Sequence, residues 1–417
     1  MPRLLQVNIV SNTLSTGKIV EDISKVARER GWDTYVAYGR TSIPGVNKEY
    51  HIGSTVESFW HYLENRLFDN EGLASRFSTY RLIRYINRIK PDVIHLHNIH
   101  DHYFNYHIFF NYVNKSGIKI IWTFHDFWAI TGHCHYYIGA DCDLWKTQCH
   151  NCPLQHSTVN SLIDRSTRNY DLKKRLFSAN SNLVVVPVSP WVESIVRESF
   201  LKDKKIVTIP NSLDIGSLVS EPEMVISCIP KGAFVILGVA TDWVLGGRKG
   251  FDDFLKLSNL LQEDEKIVLV GMKNEQMKSL PSNVIGIVRT TSKTELANIY
   301  RRANVLLSLS SAETFGLTII EANAFGVPAV VYNNTAPPSL ISVENGYVAK
   351  DRDVRDVYDK IQMIKSKGIN SYRKSCQDYA MRHFDKNKNY QRYVDLYEEQ
   401  IIKNEEKDSN YKCRIPT

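Results

Sequence analysis

Two hydrophobic periods alternate along most of this chain, and few architectures accept that pattern. Short apolar runs ("LLQVNIV", "DTYVAYG", "DVIHLH", "KIIWTFH", "LVVVPVS") are separated by stretches with helical spacing, such as "IVEDISKVARERG" and "LIRYINRIK". A second series follows: "KIVTIPN", "AFVILGVA", "KIVLVG", "NVIGIV", "NVLLSLS" and "PAVVYN". Strands alternating with helices imply an α/β protein whose parallel sheets are covered by helices on both faces. So many strands overfill one sheet, and 417 residues suffice for two separate cores. The expected organisation is a first domain over 1–205 and a second over 206–380. A C-terminal helix over 381–402 packs back on the first domain, and 403–417 forms a disordered polar tail.

Open parallel sheets bind ligands beyond the carboxyl ends of their strands, so residues just after strands are the candidates. After "NVLLSLSS" comes "AETFGLTIIEANAFGVP", with Glu313 on the turn, Gly316 and Leu317 at a helix entrance, and Glu321 in the second turn. A glycine there lets a phosphate approach the backbone, and a helix N-terminus favours negative charge. Glu321 can accept hydrogen bonds from sugar hydroxyls. The bland alternative is a strand, loop and helix with solvated glutamates. The tight "TFG" entry and the placing of Glu321 on an apolar face weigh against it. After "FVILGV", the Arg248-Lys249 pair can neutralise a diphosphate.

The pattern Glu313-x-Phe315-Gly316-x4-Glu321, followed by Gly326 and Pro328, resembles the motif of retaining glycosyltransferases of the GT-B fold, family four (glycosyl transferases group 1). Lys249-Gly250 resembles that family's "KG" element, and Asn211 and Asp214 match its interdomain turn. "PDVIHLHNIH" and "WTFHDFWAITGHC" resemble a subgroup of bacterial exopolysaccharide, colanic-acid-type enzymes. The resemblance implies two Rossmann-like doubly wound domains facing across a cleft, with a nucleotide-diphosphate sugar on the second and a saccharide or lipid-linked acceptor on the first. It implies that Glu313 contacts the transferred sugar and Glu321 the ribose, that Lys249 and Arg248 meet the phosphates, and that backbone near Val288 meets the base. It also implies that His125 lies near the transferred sugar, with Asp126 orienting it. Asn98, His100 and Asp126 would face the acceptor. No metal is expected in catalysis.

The loop "SNTLSTGKIV" departs from a phosphate-binding P-loop, because Gly17-Lys18 is followed by Ile19 and the first glycine position is Asn12. Thr16 and Gly17 instead fit the first loop of a GT-B enzyme, which comes close to the donor phosphates or the acceptor, and they are taken as donor-binding candidates.

Ten of the thirteen histidines fall between His95 and His156. His95 and His97 share one face of a buried strand, where packing is the commoner role. A metal hydrolase built on them and neighbouring histidines is a rival reading, as are a nucleotide-sugar epimerase or hydrolase and a non-catalytic sugar-binding partner. Cys134, Cys142, Cys149 and Cys152 suit a structural zinc, disulfides or plain thiols. The "DCD" at 141–143 mimics a metal-binding D-x-D but lies inside the cysteine loop, away from a strand end.

The net charge of +7 is spread out and excludes a nucleic-acid binder. The opening residues lack a signal-peptide pattern, and no apolar run spans a bilayer, so a cytoplasmic enzyme is expected. The aromatic and basic stretches "SFWHYLENRLF" and "SRFSTYRLIRYINRIK" suit either packing on the sheet or peripheral contact with the inner membrane face.

Overall fold

A computed structural model describes residues 1–412 apart from 141, 157–159 and 291, with side chains described through Ile402. The chain divides into two compact units, Met1–Pro210 with Asn387–Thr417, and Asn211–Lys386.

The first unit holds β1 (Arg3–Asn8), β2 (Asp33–Tyr38), β3 (Lys48–His51), β4 (Val93–Leu96), β5 (Lys119–Phe124), β6 (Leu183–Pro187) and β7 (Lys205–Ile206), in the order β3-β2-β1-β4-β5-β6-β7. Its strand pairs are parallel. Strands β4, β5 and β6 are buried along their whole length, as helices on both faces require. The strand order reverses between β1 and β4, which opens a crevice beyond their carboxyl ends. The "KIVTIPN" run begins this unit's last strand and not the second series, because Lys205 and Ile206 pair with Val184 and Val185 of β6.

Helix Lys386–Lys412 continues past residue 402. Its Tyr390, Tyr393, Val394, Leu396 and Tyr397 pack with Leu4, Ile23, Trp32, Ile121 and Val184, inside the first unit's core. Residues 413–417 of the expected tail lie outside the described residues.

The second unit holds β8 (Phe234–Val239), β9 (Glu265–Met272), β10 (Val284–Val288), β11 (Val305–Ser308), β12 (Ala329–Tyr332) and β13 (Gly346–Ala349), in the order β10-β9-β8-β11-β12-β13. These pairs are also parallel, and the order reverses between β8 and β11. Ile236, Leu269, Leu307 and Val330 of this sheet meet Phe254, Val357, Ile361 and Tyr372 of the covering helices in one core.

Candidate active site

In the second unit, the loops after β8 and β11 meet at the point where the strand order reverses. Gly250 (φ +73) caps helix Phe251–Ser258. A Cβ there would sit 2.2 Å from the Leu309 carbonyl oxygen, so only glycine lets the two loops touch. The Ser311 amide donates to the Arg248 carbonyl at 2.9 Å. Across this seam Lys249 Nζ lies 2.6 Å from Glu313 Oε2, with both side chains partly open to solvent. The Glu313 backbone is held in turn, its amide donating to Thr335 Oγ1 at 3.3 Å and its carbonyl accepting from the Ala336 amide at 3.2 Å.

Gly316 (φ +112) caps helix Leu317–Ala324. Phe315 is buried edge-on against Phe384 and anchors the entrance. Leu317 is half-buried and the Arg248 side chain is exposed. Glu321 Oε2 accepts from the Tyr300 hydroxyl at 2.5 Å. Burial raises the Glu321 carboxyl, and this bond partly offsets the rise. Val288, half-exposed, ends the edge strand β10. The sequence reading thus finds Lys249, Glu313 and Gly316 on the two loops flanking the reversal, with Glu321 one turn deeper.

In the first unit, Asn8 Nδ2 reaches Thr16 Oγ1 at 3.3 Å, and Asn8 Oδ1 accepts from the Asn98 amide at 3.3 Å. Thr16 and Gly17 lie not on the loop but in the first turn of helix Leu14–Glu29, which Asn8 ties to the loop after β4. Gly17 is buried, and a Cβ there would lie 3.1 Å from Val10 Cγ2 and 3.2 Å from the Asn12 amide nitrogen. The loop after β1 packs directly on it.

The histidines form two groups. His95 hydrogen-bonds Tyr397 at 2.7 Å and Thr123 at 2.8 Å. Gln6 Nε2 donates to Val20 O and Ser24 Oγ, which turns Gln6 Oε1 toward His97 Nε2 at 2.9 Å. His97 Nδ1 is thereby the acceptor for His125 Nε2 at 3.1 Å. Both nitrogens of His95 and of His97 are thus engaged in hydrogen bonds inside the unit. His125 lies at the end of β5, and burial lowers its pKa to about 4, so it is neutral at pH 7.

The Asp126 carboxylate reaches a second histidine, His100. Its Oδ2 binds His100 Nε2 at 2.7 Å, and its Oδ1 accepts from the Trp128 amide at 2.9 Å. Burial alone would raise the Asp126 carboxyl. The His100 and His135 rings and the Trp128 amide hold it well below the usual carboxylate range.

Two members of this second group escaped the sequence reading. Glu71 is buried, and its carboxylate accepts from His135 Nε2 at 3.1 Å, the Asp101 amide at 3.1 Å and Trp128 Nε1 at 3.2 Å. His135 lies with its ring centroid 4.1 Å from that of His100. Burial would lower the His135 pKa, but Glu71 and Asp126 raise it to about 9. Glu71 and His135 stand 64 residues apart on loops, so no local spacing announces the pair. The crowding of histidines was the one available signal.

Two doubly wound parallel-sheet units in one chain are the make-up of the GT-B fold. The fold is similar to that of sucrose-phosphate synthase from Thermosynechococcus elongatus, with a TM-score of 0.68 at 15% identity over 96% of this chain and 99% of that one. The family model "Glycosyltransferase Family 4" matches residues 16–216, and "Glycosyl transferases group 1" matches residues 229–383. The chain belongs to glycosyltransferase family four. It is 23% identical over 370 residues to the colanic acid biosynthesis glycosyl transferase WcaC of Escherichia coli K12, covering 84% of this chain and 88% of that protein. It is also 23% identical over 226 residues to an Escherichia coli UDP-Gal:alpha-D-GlcNAc-diphosphoundecaprenol alpha-1,3-galactosyltransferase, covering 50% of this chain and 58% of that protein.

Proposed function

We propose that this glycosyltransferase moves a sugar from a UDP-sugar to a lipid-linked saccharide, with retention of configuration, in the assembly of a bacterial surface polysaccharide. The observation that carries the reading is the Lys249–Glu313 pair beside the glycine-capped helix at Gly316. The donor and acceptor classes are supported by the galactosyltransferase relative, whose name specifies a UDP-sugar and a diphosphoundecaprenol-linked sugar. The pathway class is supported by the colanic acid relative.

In this mechanism the donor diphosphate takes Lys249 from Glu313, with Arg248 and the helix N-terminus at Gly316 sharing the charge. Glu313, released, holds the transferred sugar, and Glu321 holds the ribose. The bond from the anomeric carbon to the phosphate oxygen breaks while the acceptor oxygen bonds to the same face of that carbon. The acceptor proton passes to the leaving phosphate oxygen. Neutral His125 hydrogen-bonds a hydroxyl of the transferred sugar, while Asn98, His100 and Asp126 receive the acceptor. No metal enters the step, since the basic groups carry the phosphate charge.

Contact with the inner membrane face is part of the proposal. Among the described residues no helix is long and apolar enough to cross a membrane. Helices Thr55–Phe68 and Arg76–Ile89 instead leave Phe59, Trp60, Phe77 and Tyr80 exposed, with Phe77 at 80%. Such faces suit an anionic lipid surface.

The test is to incubate the protein with UDP-sugars and a polyprenyl-diphosphate saccharide and read the product by mass spectrometry and the new linkage by proton NMR. An α-linked product from an α-linked donor supports the reading. Donor turnover without acceptor would favour an epimerase or hydrolase, and an inverted linkage would refute retention.

A further inference from the structure

The cysteine loop after β5 plays no part in the sugar chemistry, yet its side chains converge. Cys134, Cys142, Cys149 and Cys152 all line one small cavity of about 10 Å³, together with His133. Cys134 Sγ and Cys152 Sγ stand 3.7 Å apart, and none of the four is in a disulfide. A disulfide would bring the sulfurs to about 2.05 Å. Two thiolates on one tetrahedral zinc, each with a Zn–S distance of about 2.3 Å, lie about 3.8 Å apart. Cys149-x-x-Cys152 offers two sulfurs from a single turn.

The surroundings suit an anionic metal–thiolate centre. The Gly132 amide donates to Cys149 Sγ at 3.3 Å. Buried Lys173 donates to the Trp128, Thr131 and Gly132 carbonyls, and its charge attracts Cys149 and Cys134. His133 Nδ1 is held by buried Asp69 at 2.8 Å, and one of its ring nitrogens lies within 4.8 Å of the Cys134 and Cys152 sulfurs. Four thiolates around Zn²⁺ carry two net negative charges, which a buried ammonium and a nearby imidazole offset.

We propose that this loop is a structural zinc site with Cys134, Cys142, Cys149 and Cys152 as ligands and the Asp69-supported His133 beside them in the outer shell. The zinc closes the segment that carries His135 to Glu71, which the Phe127 amide to His135 carbonyl bond at 3.0 Å ties back to the end of β5.

The full chain, purified under reducing conditions without chelator, should contain about one zinc per molecule by mass spectrometry. Serine at any one of the four cysteines should abolish stoichiometric zinc, while His133→Ala keeps it with affinity lowered no more than about 10- to 100-fold. Because a cysteine variant can fail to fold, the wild-type protein supplies a second reading. Mercurial titration should release the zinc in step with modification of the four thiols, and cobalt substitution should give the charge-transfer bands of a four-sulfur tetrahedral site. Zinc-free protein with freely reactive thiols would overturn the site. Loss of zinc in His133→Ala with retention in Cys142→Ser would overturn the four-thiolate assignment. Neither readout depends on transferase activity.

Discussion

Lys249 and Glu313 join the two loops at the strand reversal of the second unit, Nζ to Oε2 at 2.6 Å. The ammonium that would meet a diphosphate is thus paired, before any donor arrives, with the carboxylate that would meet the sugar. In the proposed mechanism, donor binding would exchange one anion for another on Lys249, so the ammonium would stay paired throughout.

That exchange separates the two residues experimentally. Lys249→Ala should weaken UDP binding by roughly 10- to 100-fold, the range for a lost charge-assisted hydrogen bond, and lower kcat. Glu313→Gln removes the anion that competes for Lys249, so UDP affinity should hold or rise while kcat falls by about 10²- to 10³-fold. Calorimetric titration with UDP beside initial-rate kinetics with the full donor checks both.

The seam between the loops depends on Gly250. Gly250→Ala places a Cβ 2.2 Å from the Leu309 carbonyl oxygen at φ +73. The variant should lose about 1–3 kcal/mol of stability together with UDP affinity. Gly216→Ala, where a Cβ meets nothing within 4 Å and φ is not in the left-handed region, should behave as wild type. Urea denaturation of the two variants makes the comparison.

The histidine groups predict opposite pH responses. His125 has its pKa lowered to about 4, His61 to about 3, and His95 and His97 lie well below 6.5, all chiefly through burial. The unfolded chain therefore binds more protons below pH 6.5, and stability should fall as pH drops from 6.5 toward 4. Burial also opposes charge on His135, but Glu71 and Asp126 raise its pKa to about 9. Its contribution is full below about 6.5 and is lost as pH rises through 9. His135→Gln should lower the melting temperature at pH 6, with the gap narrowing toward pH 9. Melting curves across pH 4–9 for both proteins check the two signs.

The second unit's site was largely legible in sequence because its parts are local. Glu313, Gly316 and Glu321 lie on one strand-loop-helix, and Lys249-Gly250 follows its own strand. The first unit was harder. His100–Asp126 and Glu71–His135 are pairs made across loops, which no local spacing announces. Strand β3 reads Lys-Glu-Tyr-His, with no apolar run to mark it. Strand β7 is two residues long, so its sheet is decided by pairing with β6 and not by pattern.

Exposed aromatics on helices Thr55–Phe68 and Arg76–Ile89 predict a lipid contact. Replacing Phe59, Trp60 and Phe77 by serine should reduce co-sedimentation with vesicles containing phosphatidylglycerol several-fold. Transfer to a short, water-soluble acceptor should be unchanged. Equal sedimentation of the two proteins would remove the membrane contact from the account.

The most direct test of the central claim is a melting-temperature shift with UDP, GDP and ADP, in wild type and Lys249→Ala, in buffer without magnesium or manganese. A ligand that binds the native state raises its melting temperature by mass action. UDP should selectively raise the melting temperature of the wild type, and that rise should be largely lost in Lys249→Ala. No rise with any nucleotide, or an equal rise in both proteins, would contradict a donor site built on Lys249 and Glu313.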